Sequence, residues 1–237
     1  MYQSLLKDPH RPILIFLHGW AGSWQTWHPI LERLKDNYNL FAIKLPYPTD
    51  KVLNLDDYCQ FVLDFIEKEK LDHPVIIGHS LGGAIAVKIA AEHPDTVSSI
   101  VLASAAAIRH PLPKLWRFLQ TVIIPFKPAL KSIRHLVYKL PPLNTSDYQV
   151  LTTSIEKTTF QNLITADLTN QLPQISCPTL ILWGDDDSST PLTDGLKIHS
   201  LIPRSTFYSF PNSGHFFFLD YQQEFSQKII DFVTHET

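Results

Sequence analysis

Short apolar runs alternate with longer amphipathic stretches along most of this chain. Continuous apolar runs bounded by turn residues are typical of buried strands, whereas apolar positions three or four residues apart are typical of helices. The runs predict strands at Ile13–Leu17, 40–43, 75–77, 98–102, 179–183 and 206–210. The amphipathic stretches predict helices at 25–35, 55–70, Leu81–Glu92 and 217–233. Because strands alternate with helices and each strand is almost wholly apolar, the pattern predicts an α/β fold of about six strands, mostly parallel, with helices on both faces.

One stretch, 108–172, breaks this alternation. Its prolines are Pro111, Pro113, Pro125, Pro128, Pro141 and Pro142. Proline interrupts helices and strands, so we expect several short helices here, such as 114–124 and 128–138. We therefore predict a core formed by 1–107 and 173–237 with a helical cap inserted at 108–172. The 237 residues suffice for one such domain.

A Gly-x-Ser-x-Gly motif joins the third predicted strand to the helix that follows it: Gly78-His79-Ser80-Leu81-Gly82. A serine hydroxyl is a weak nucleophile and must project clear of the backbone to reach a carbonyl carbon. A sharp strand-to-helix turn achieves this, and it needs small residues two positions away on either side. The motif therefore predicts Ser80 as a nucleophile.

A serine nucleophile needs a base, and the base needs a carboxylate that orients it. Asp185, Asp186 and Asp187 follow the fifth predicted strand, and Gly214-His215 follows the sixth. The carboxyl ends of parallel strands share one edge of a sheet, where Ser80 also lies. We predict His215 as the base and one of the three aspartates as the acid, in the chain order serine, acid, histidine.

Two backbone N–H groups are expected to bind the oxyanion of the reaction. Leu81 N–H follows the nucleophile directly, and Trp20 N–H lies on the loop after the first strand, so these two form the predicted oxyanion hole. Trp24 is a candidate to line a substrate pocket, with simple surface packing as the alternative. His18 and His79 are interpreted as structural residues that hold these loops. We predict no metal site and no cofactor, because no histidine or carboxylate cluster has ligand spacing.

These motifs together resemble the α/β-hydrolase superfamily over nearly the whole chain, from about Ile13 to Val233. They are Leu17-His18-Gly19-Trp20, Gly78-His79-Ser80-Leu81-Gly82-Gly83, Leu182-Trp183-Gly184-Asp185-Asp186-Asp187 and Ser213-Gly214-His215. Small capped esterases and carbon–carbon bond hydrolases are the most similar types, pimeloyl-ester carboxylesterases of biotin synthesis among them. In those families the acid stands three residues after the glycine of the Trp-Gly motif, which favours Asp187 over its neighbours. The resemblance also implies a helical cap after the fourth strand.

The chain departs from the superfamily pattern at two places. Only twelve residues precede Ile13, so the usual pair of antiparallel strands is expected to be absent or reduced. The loop after the second strand usually reads Asp-Leu-Pro-Gly, but here it reads Lys44-Leu45-Pro46-Tyr47. The substrate therefore does not carry over directly from the resemblance.

Composition limits the partners and the setting of the protein. The net charge of −3 and the absence of a recognition motif argue against nucleic-acid binding. Cys59 and Cys177 are distant in sequence, and no apolar leader or membrane span is seen, so a cytoplasmic protein is predicted. The oligomeric state stays open.

Residues 108–147 carry seven Lys or Arg side chains against Asp147 alone, a net charge of +6. A basic, solvated outer face is the favoured interpretation. A substrate with a distal carboxylate or phosphate is one alternative, and contact of the cap with an anionic membrane is another. Charge reversal of Lys114 and Arg117 would separate these interpretations.

The sequence thus predicts a serine hydrolase that acts on a small or medium carboxylic ester, a small-molecule substrate, through an acyl-enzyme. Thioesterase, lactonase and carbon–carbon bond hydrolase activities use the same three residues and remain alternatives. A non-catalytic ligand-binding protein of the same fold is the alternative outside the enzymes.

Overall fold

The computed structural model describes residues 2–3, 8, 10–109 and 151–236. They group into two compact units. The first contains the chain up to Tyr47, Leu53–Arg109 and the chain from Leu163 onward; the second contains Pro48–Val52 and, of the described residues, 151–162. The predicted helices at 114–124 and 128–138, and the side chains of Lys114 and Arg117, lie outside the described residues.

The first unit is built on one seven-stranded sheet with the order β1-β3-β2-β4-β5-β6-β7. The strands are β1 (Tyr2–Gln3), β2 (Ile13–Leu17), β3 (Asn39–Ile43), β4 (Val75–His79), β5 (Ser99–Ala103), β6 (Thr179–Gly184) and β7 (Ser205–Phe210). Strands β2 to β7 pair in parallel, and β1 pairs antiparallel with β3. The predicted parallel sheet of six strands is therefore present, and β1 adds one two-residue antiparallel strand.

The central strands are buried on both faces, and their side chains alternate between two core clusters. On β2, Ile15 and Leu17 belong to one cluster, while Leu14 and Phe16 belong to the other. This alternation follows from the two-residue period of a strand. It explains why these runs are continuously apolar.

Helices cover both faces of the sheet. In the first unit they are α1 (His28–Leu34), α2 (Leu55–Glu69), α3 (Leu81–Glu92), α5 (Leu192–Leu201), α6 (Phe217–Asp220) and α7 (Gln222–Glu236), while α4 (Ser154–Thr165) begins in the second unit. Side chains of α2, α3 and α5 pack in the cluster that contains Ile15, and those of α1, α6 and α7 pack in the cluster that contains Phe16. All six parallel strands end at the same edge, which gathers their following loops.

Two predicted helices differ from the observed elements. The stretch 25–35 begins as a 3-10 turn, Trp24–Trp27, before α1. The stretch 217–233 is not one helix, because Tyr221 leaves the helical region with φ −110° and ψ 40° and separates α6 from α7. The Tyr221 hydroxyl donates a hydrogen bond to the Pro211 carbonyl over 2.8 Å. The apolar period continues through this break, so the pattern alone predicted a single helix.

Helix α2 is stabilised at both ends by local hydrogen bonds. At its start, the Asn54 side chain accepts from Asp57 N–H at 3.0 Å, and the Asp57 carboxylate accepts from Asn54 N–H at 2.9 Å. This is a capping box, which pairs otherwise unsatisfied amides of a first turn. At its end, Leu71 N–H donates to the Ile66 carbonyl at 3.0 Å. Lys70 takes the left-handed conformation, with φ 54° and ψ 49°, at the position where glycine is usual.

Replacing Lys70 by glycine should stabilise the protein. Glycine adopts the left-handed region without the Cβ clash that Lys70 incurs, although it also has more freedom in the unfolded chain. The net gain is expected to be about 0.5–1 kcal/mol in the free energy of unfolding. Urea unfolding of both proteins measures it. Lys68→Gly, two residues earlier in the regular helix, is the control and should lose about 1 kcal/mol. Equal losses in the two variants would contradict the role given to the backbone of Lys70.

The second unit contains the start of α4. Thr153 and Glu156 form a capping box there: Glu156 N–H donates to Thr153 Oγ1 at 3.1 Å, and the Glu156 carboxylate accepts from Thr153 N–H at 2.8 Å. In the first unit, the buried Arg109 guanidinium donates to the carbonyls of Leu163 and Ala166, each over 2.9 Å. Arg109 is thus engaged with helix-end carbonyls. The extent of the predicted cap, 108–172, stays a prediction.

Candidate active site

Ser80 stands between β4 and α3 in a strained backbone conformation, with φ 53° and ψ −112°. Residues other than glycine rarely adopt a positive φ, and such strain is typical of functional turns. Three backbone hydrogen bonds hold the turn: Ser80 N–H donates to the Ala103 carbonyl at 3.1 Å, and the Ser80 carbonyl accepts from Ala84 at 3.1 Å and Ala106 at 3.0 Å. The loop after β5 therefore supports the conformation that lifts the serine.

The glycines of the motif are required by close backbone approach. A Cβ on Gly78 would fall onto the Gly82 carbonyl, and a Cβ on Gly82 would fall onto the Leu17 carbonyl. A Cβ on Gly83 would lie 2.5 Å from the Cβ of Ala105. Distances this short are excluded sterically, so α3 packs against β2 and β5 only because these positions lack side chains.

The structure separates the three neighbouring aspartates. Asp185 and Asp186 are exposed, whereas Asp187 is buried with 5% of its surface accessible. Asp187 Oδ2 lies 2.8 Å from His215 Nδ1. The loops after β6 and β7 therefore meet, and Asp187 is the aspartate that contacts the histidine.

The Asp187 carboxylate accepts three further hydrogen bonds from its own loop. Ser189 N–H and Thr190 N–H donate to Oδ1 at 2.8 and 2.9 Å, and Thr190 Oγ1 donates to Oδ2 at 2.9 Å. Burial alone would raise the pKa of Asp187, but the hydrogen bond and charge of His215 and the backbone N–H of Thr190 outweigh it and lower the pKa to about 2. The carboxylate is thus held ionised and in one orientation.

Thr190 is a supporting residue that the motifs did not indicate. Besides its bonds to Asp187, its hydroxyl oxygen lies 3.3 Å from His215 Nδ1, and its carbonyl accepts from Trp183 Nε1 at 2.8 Å. Trp183 is fully buried at the end of β6. The Trp183 indole therefore holds the loop after β6 against the core. Thr190, which is bonded to this indole, in turn contacts Asp187 and His215.

His215 has the hydrogen-bonding pattern of a general base. A carboxylate can only accept, so Nδ1 carries the proton that is donated to Asp187 and the lone pair of Nε2 is left for other partners. No residue in the described part of the chain hydrogen-bonds to Nε2. The His215 side chain as a whole retains 16% exposure.

His79 connects the serine loop to the histidine loop. Its Nε2 donates to the His215 carbonyl at 2.9 Å, and the two imidazole rings lie 4.5 Å apart. Burial, and then the neighbouring His215, lower the pKa of His79 to about 3. His79 is therefore a neutral structural residue that joins the turn of Ser80, its direct neighbour, to the loop of His215.

His18 performs a similar task on the other side of the serine. Leu45 N–H donates to His18 Nε2 at 3.1 Å, which leaves Nδ1 as the donor to the Gly19 carbonyl at 2.8 Å. Burial lowers the pKa of His18, which suits this neutral tautomer. The loops after β2 and β3 are joined through this ring.

The predicted oxyanion donors flank the serine. Leu81 provides the first N–H of α3, which has no acceptor within the helix. Trp20 lies in a turn closed by the Gly22 N–H to Gly19 carbonyl bond of 3.1 Å, in which Ala21 takes a positive φ of 49°. A Cβ on Gly19 would lie 3.3 Å from the Ser80 Cβ, so this turn packs directly against the serine.

A cavity of about 210 Å³ opens beside this turn. Its lining residues come from the loops after β2 and β3 and from the starts of α2 and α3: His18, Gly19, Trp20, Ala21, Gly22, Lys44, Leu45, Pro46, Tyr47, Tyr58 and Leu81. Both predicted oxyanion residues are among them. The cavity is therefore a candidate site for part of a substrate bound at Ser80.

Trp24, the residue predicted to line a substrate pocket, is not part of this cavity lining. It is half-buried in the 3-10 turn and packs against the core cluster that contains Phe16. Trp27, in the same turn, is fully buried and stacks on Phe218 with ring centroids 4.5 Å apart. These contacts match the packing alternative for Trp24, and its role in binding substrate stays a prediction.

Among the residues that the structure describes, we find neither a metal-binding group of side chains nor an exposed cysteine thiol. These residues contain no group of three or more His, Cys, Asp or Glu side chains able to hold a metal ion. Cys59 and Cys177 are free and buried, and burial raises their thiol pKa values to about 12 and about 11. None of the helices in the described ranges is long and apolar enough to cross a membrane.

A strained serine turn, a buried aspartate–histidine pair and a pair of flanking amides at one edge of a parallel sheet are features of one class of protein. The chain belongs to the alpha/beta hydrolase family, whose sequence pattern matches residues 14–228. The predicted family and fold class are thereby confirmed.

Particular relatives span almost the full chain. The pimeloyl-[acyl-carrier protein] methyl ester esterase of Vibrio vulnificus (strain YJ016) is 25% identical over 244 residues, which cover 93% of this chain and 94% of that protein. The uncharacterized hydrolase YugF of Bacillus subtilis (strain 168) is 23% identical over 260 residues, 98% of this chain and 94% of that protein. The crystal structure of the enol-lactonase from Burkholderia xenovorans LB400 superposes with a TM-score of 0.72 at 16% identity, covering 95% of this chain and 92% of the enzyme. This last similarity establishes the shared fold.

Proposed function

We propose that this chain is a serine hydrolase that cleaves a small or medium carboxylic ester through an acyl-enzyme. The observation that carries the proposal is the 2.8 Å hydrogen bond between Asp187 Oδ2 and His215 Nδ1. The loop of His215 is also bonded to His79, the residue before the strained turn of Ser80. Such a reaction requires an oriented base and a serine raised on a strained turn, and the two loops that carry them are joined here. The name of the Vibrio relative supports an ester as the substrate.

In the first half of the proposed reaction, Ser80 Oγ attacks the ester carbonyl carbon while His215 Nε2 takes the hydroxyl proton. The carbonyl oxygen becomes an oxyanion, which accepts hydrogen bonds from Leu81 N–H and Trp20 N–H. Ionised Asp187 stabilises the imidazolium through Nδ1. When the tetrahedral intermediate collapses, the carbon–oxygen bond to the alcohol breaks and His215 returns its proton to the departing alkoxide.

In the second half, a water oxygen attacks the carbonyl carbon of the acyl-enzyme while His215 Nε2 takes a proton from that water. The bond to Ser80 Oγ then breaks, the serine regains its proton, and the carboxylic acid leaves. The neutral His79 suits both halves, since a second imidazolium 4.5 Å from His215 would oppose its protonation.

Hydrolysis of p-nitrophenyl esters from acetyl to dodecanoyl, together with labelling by a fluorophosphonate, tests the proposal. We expect turnover with an optimum among the shorter acyl chains, because the cavity is only about 210 Å³. Peptide mass spectrometry should locate the phosphonate on Ser80. Thioesters and lactones belong in the same panel, since they react at the same carbonyl. Failure of all substrates together with an unlabelled Ser80 would instead indicate a non-catalytic ligand-binding protein.

A further inference from the structure

The cavity beside the predicted oxyanion hole is too small for a whole substrate of moderate size. Its volume of about 210 Å³ lies below the roughly 300–1,000 Å³ of pockets that enclose drug-sized ligands. Trp20 and Leu81, which line it, also provide the proposed oxyanion donors. A group held in the cavity would therefore belong to one arm of the substrate, either its acyl part or its alcohol part, with the carbonyl at Ser80.

Lys44 places a positive charge at this cavity. It follows β3 directly and is exposed, and it forms no ion pair with any residue of the described ranges. No aspartate or glutamate is present among the described residues of the lining. Burial is the main cause that lowers the pKa of His18. The Gly19 hydrogen bond raises this pKa, and the charge of Lys44 lowers it further. The cation thus acts on the cavity wall, and no carboxylate of the described lining neutralises it.

Tyr58 supplies a second unused donor. Its side chain comes from α2, is only 1% exposed, and lines the same cavity. Its hydroxyl has no hydrogen bond to the part of the chain that the structure describes. The Tyr58 oxygen is not among the fully buried unpartnered atoms of the described residues, so it is accessible at the cavity wall and can donate to a group bound there. A bound acceptor would pair with this hydroxyl.

We infer that this cavity binds a carboxylate on the substrate, which pairs with the Lys44 ammonium and accepts a hydrogen bond from the Tyr58 hydroxyl. The apolar walls, Trp20, Leu45 and Tyr47 among them, would contact the short chain that links the carboxylate to the ester. The substrate class is then the half-ester of a dicarboxylic acid, or an ester whose alcohol carries an acid. The inference rests on the proposed function, because it places the ester carbonyl at Ser80.

Paired esters test this inference. For the acyl arm, mono-p-nitrophenyl glutarate is compared with p-nitrophenyl valerate, which has the same number of acyl carbons. For the alcohol arm, 4-carboxyphenyl valerate is compared with phenyl valerate. We expect the wild-type protein to show a higher kcat/KM for the charged member of one pair.

Lys44→Met should lower kcat/KM for that charged ester by about tenfold, the effect of one charge-assisted contact at an exposed site. Tyr58→Phe should lower it several-fold.

Controls separate charge recognition from general damage. Lys68→Met makes the same change in net charge on the last turn of α2 and should leave both members of each pair unchanged. Added NaCl should shrink the preference of the wild-type protein for the charged ester and leave the Lys44→Met variant unaffected.

The outcomes distinguish this inference from the proposed function. Turnover of neutral esters with no charge preference on either arm would overturn the inference and leave the proposed function standing. An equal fall for charged and neutral esters in Lys44→Met would also overturn it, since the lysine would then serve the loop structure alone. Full activity in a Ser80→Ala variant would overturn the proposed function itself.

Discussion

Replacing Ser80 by alanine is expected to reduce kcat/KM for ester hydrolysis by at least about 10⁴-fold. The variant lacks the oxygen that attacks the carbonyl, while the amides of Leu81 and Trp20 and the Asp187–His215 pair remain. Any residual rate would arise from water activated by His215 with the oxyanion still bound. Steady-state kinetics on p-nitrophenyl butyrate measures the loss.

Ser99→Ala is the matched control for this change. Ser99 is buried, with 2% exposure, and it begins β5 at the opposite end of the strand from the loop that supports Ser80. Its removal should leave kcat/KM within about twofold, because surface and packing changes away from a site act mainly on stability. Near wild-type activity in Ser80→Ala, with both variants folded by circular dichroism, would show that Ser80 is not the nucleophile.

Replacing Asp187 by asparagine is expected to lower kcat by about 10⁴-fold with little change in KM. An asparagine amide fills the same space, but it no longer carries the charge that stabilises the imidazolium. Its NH₂ group also favours the His215 tautomer with the proton on Nε2, which cannot act as a base. The Ser189 and Thr190 amides would lose a charged acceptor as well.

Asp185→Asn and Asp186→Asn make the same chemical change two residues and one residue earlier in the chain. Both side chains are exposed, so each variant should keep kcat within about twofold of the wild type. The comparison is internal to one loop and independent of the substrate chosen. Comparable losses in all three variants would mean that the loop charge as a whole, and not the Asp187–His215 pair, supports activity.

The sequence narrowed the acid to three aspartates, but the pattern of residues alone did not choose among them. Three identical side chains stand in a row, and their burial depends on how the loop turns after β6. Asp187 N–H bonds to the Gly184 carbonyl at 3.3 Å, and Trp183 anchors Thr190 from the core. An aspartate that accepts the amides two and three residues later is a recognisable turn signal. Each of the three aspartates has residues two and three positions later, so only the folded loop shows that Asp187 accepts those amides.

The six parallel strands were predicted within two residues, and in β3 to β6 the continuous apolar runs report burial on both faces. The cavity was not predicted, since it depends on Tyr58 of α2 meeting Lys44 and Trp20 from distant loops. Tyr58 belongs to the apolar side of α2, and a phenol there is compatible with a core and with a binding wall. Three-dimensional packing decides which of these applies.

Among the described residues, four with positive φ stand in loops at the carboxyl edge of the sheet: Ala21, Ser80, Ser104 and Asn212. Their strain is concentrated where the proposed chemistry occurs. The conformational order needed for reaction is therefore established when the chain folds and does not have to be recreated at each turnover. For protein engineers, this means that glycine substitutions which relax the edge would raise thermal tolerance at the expense of preorganisation.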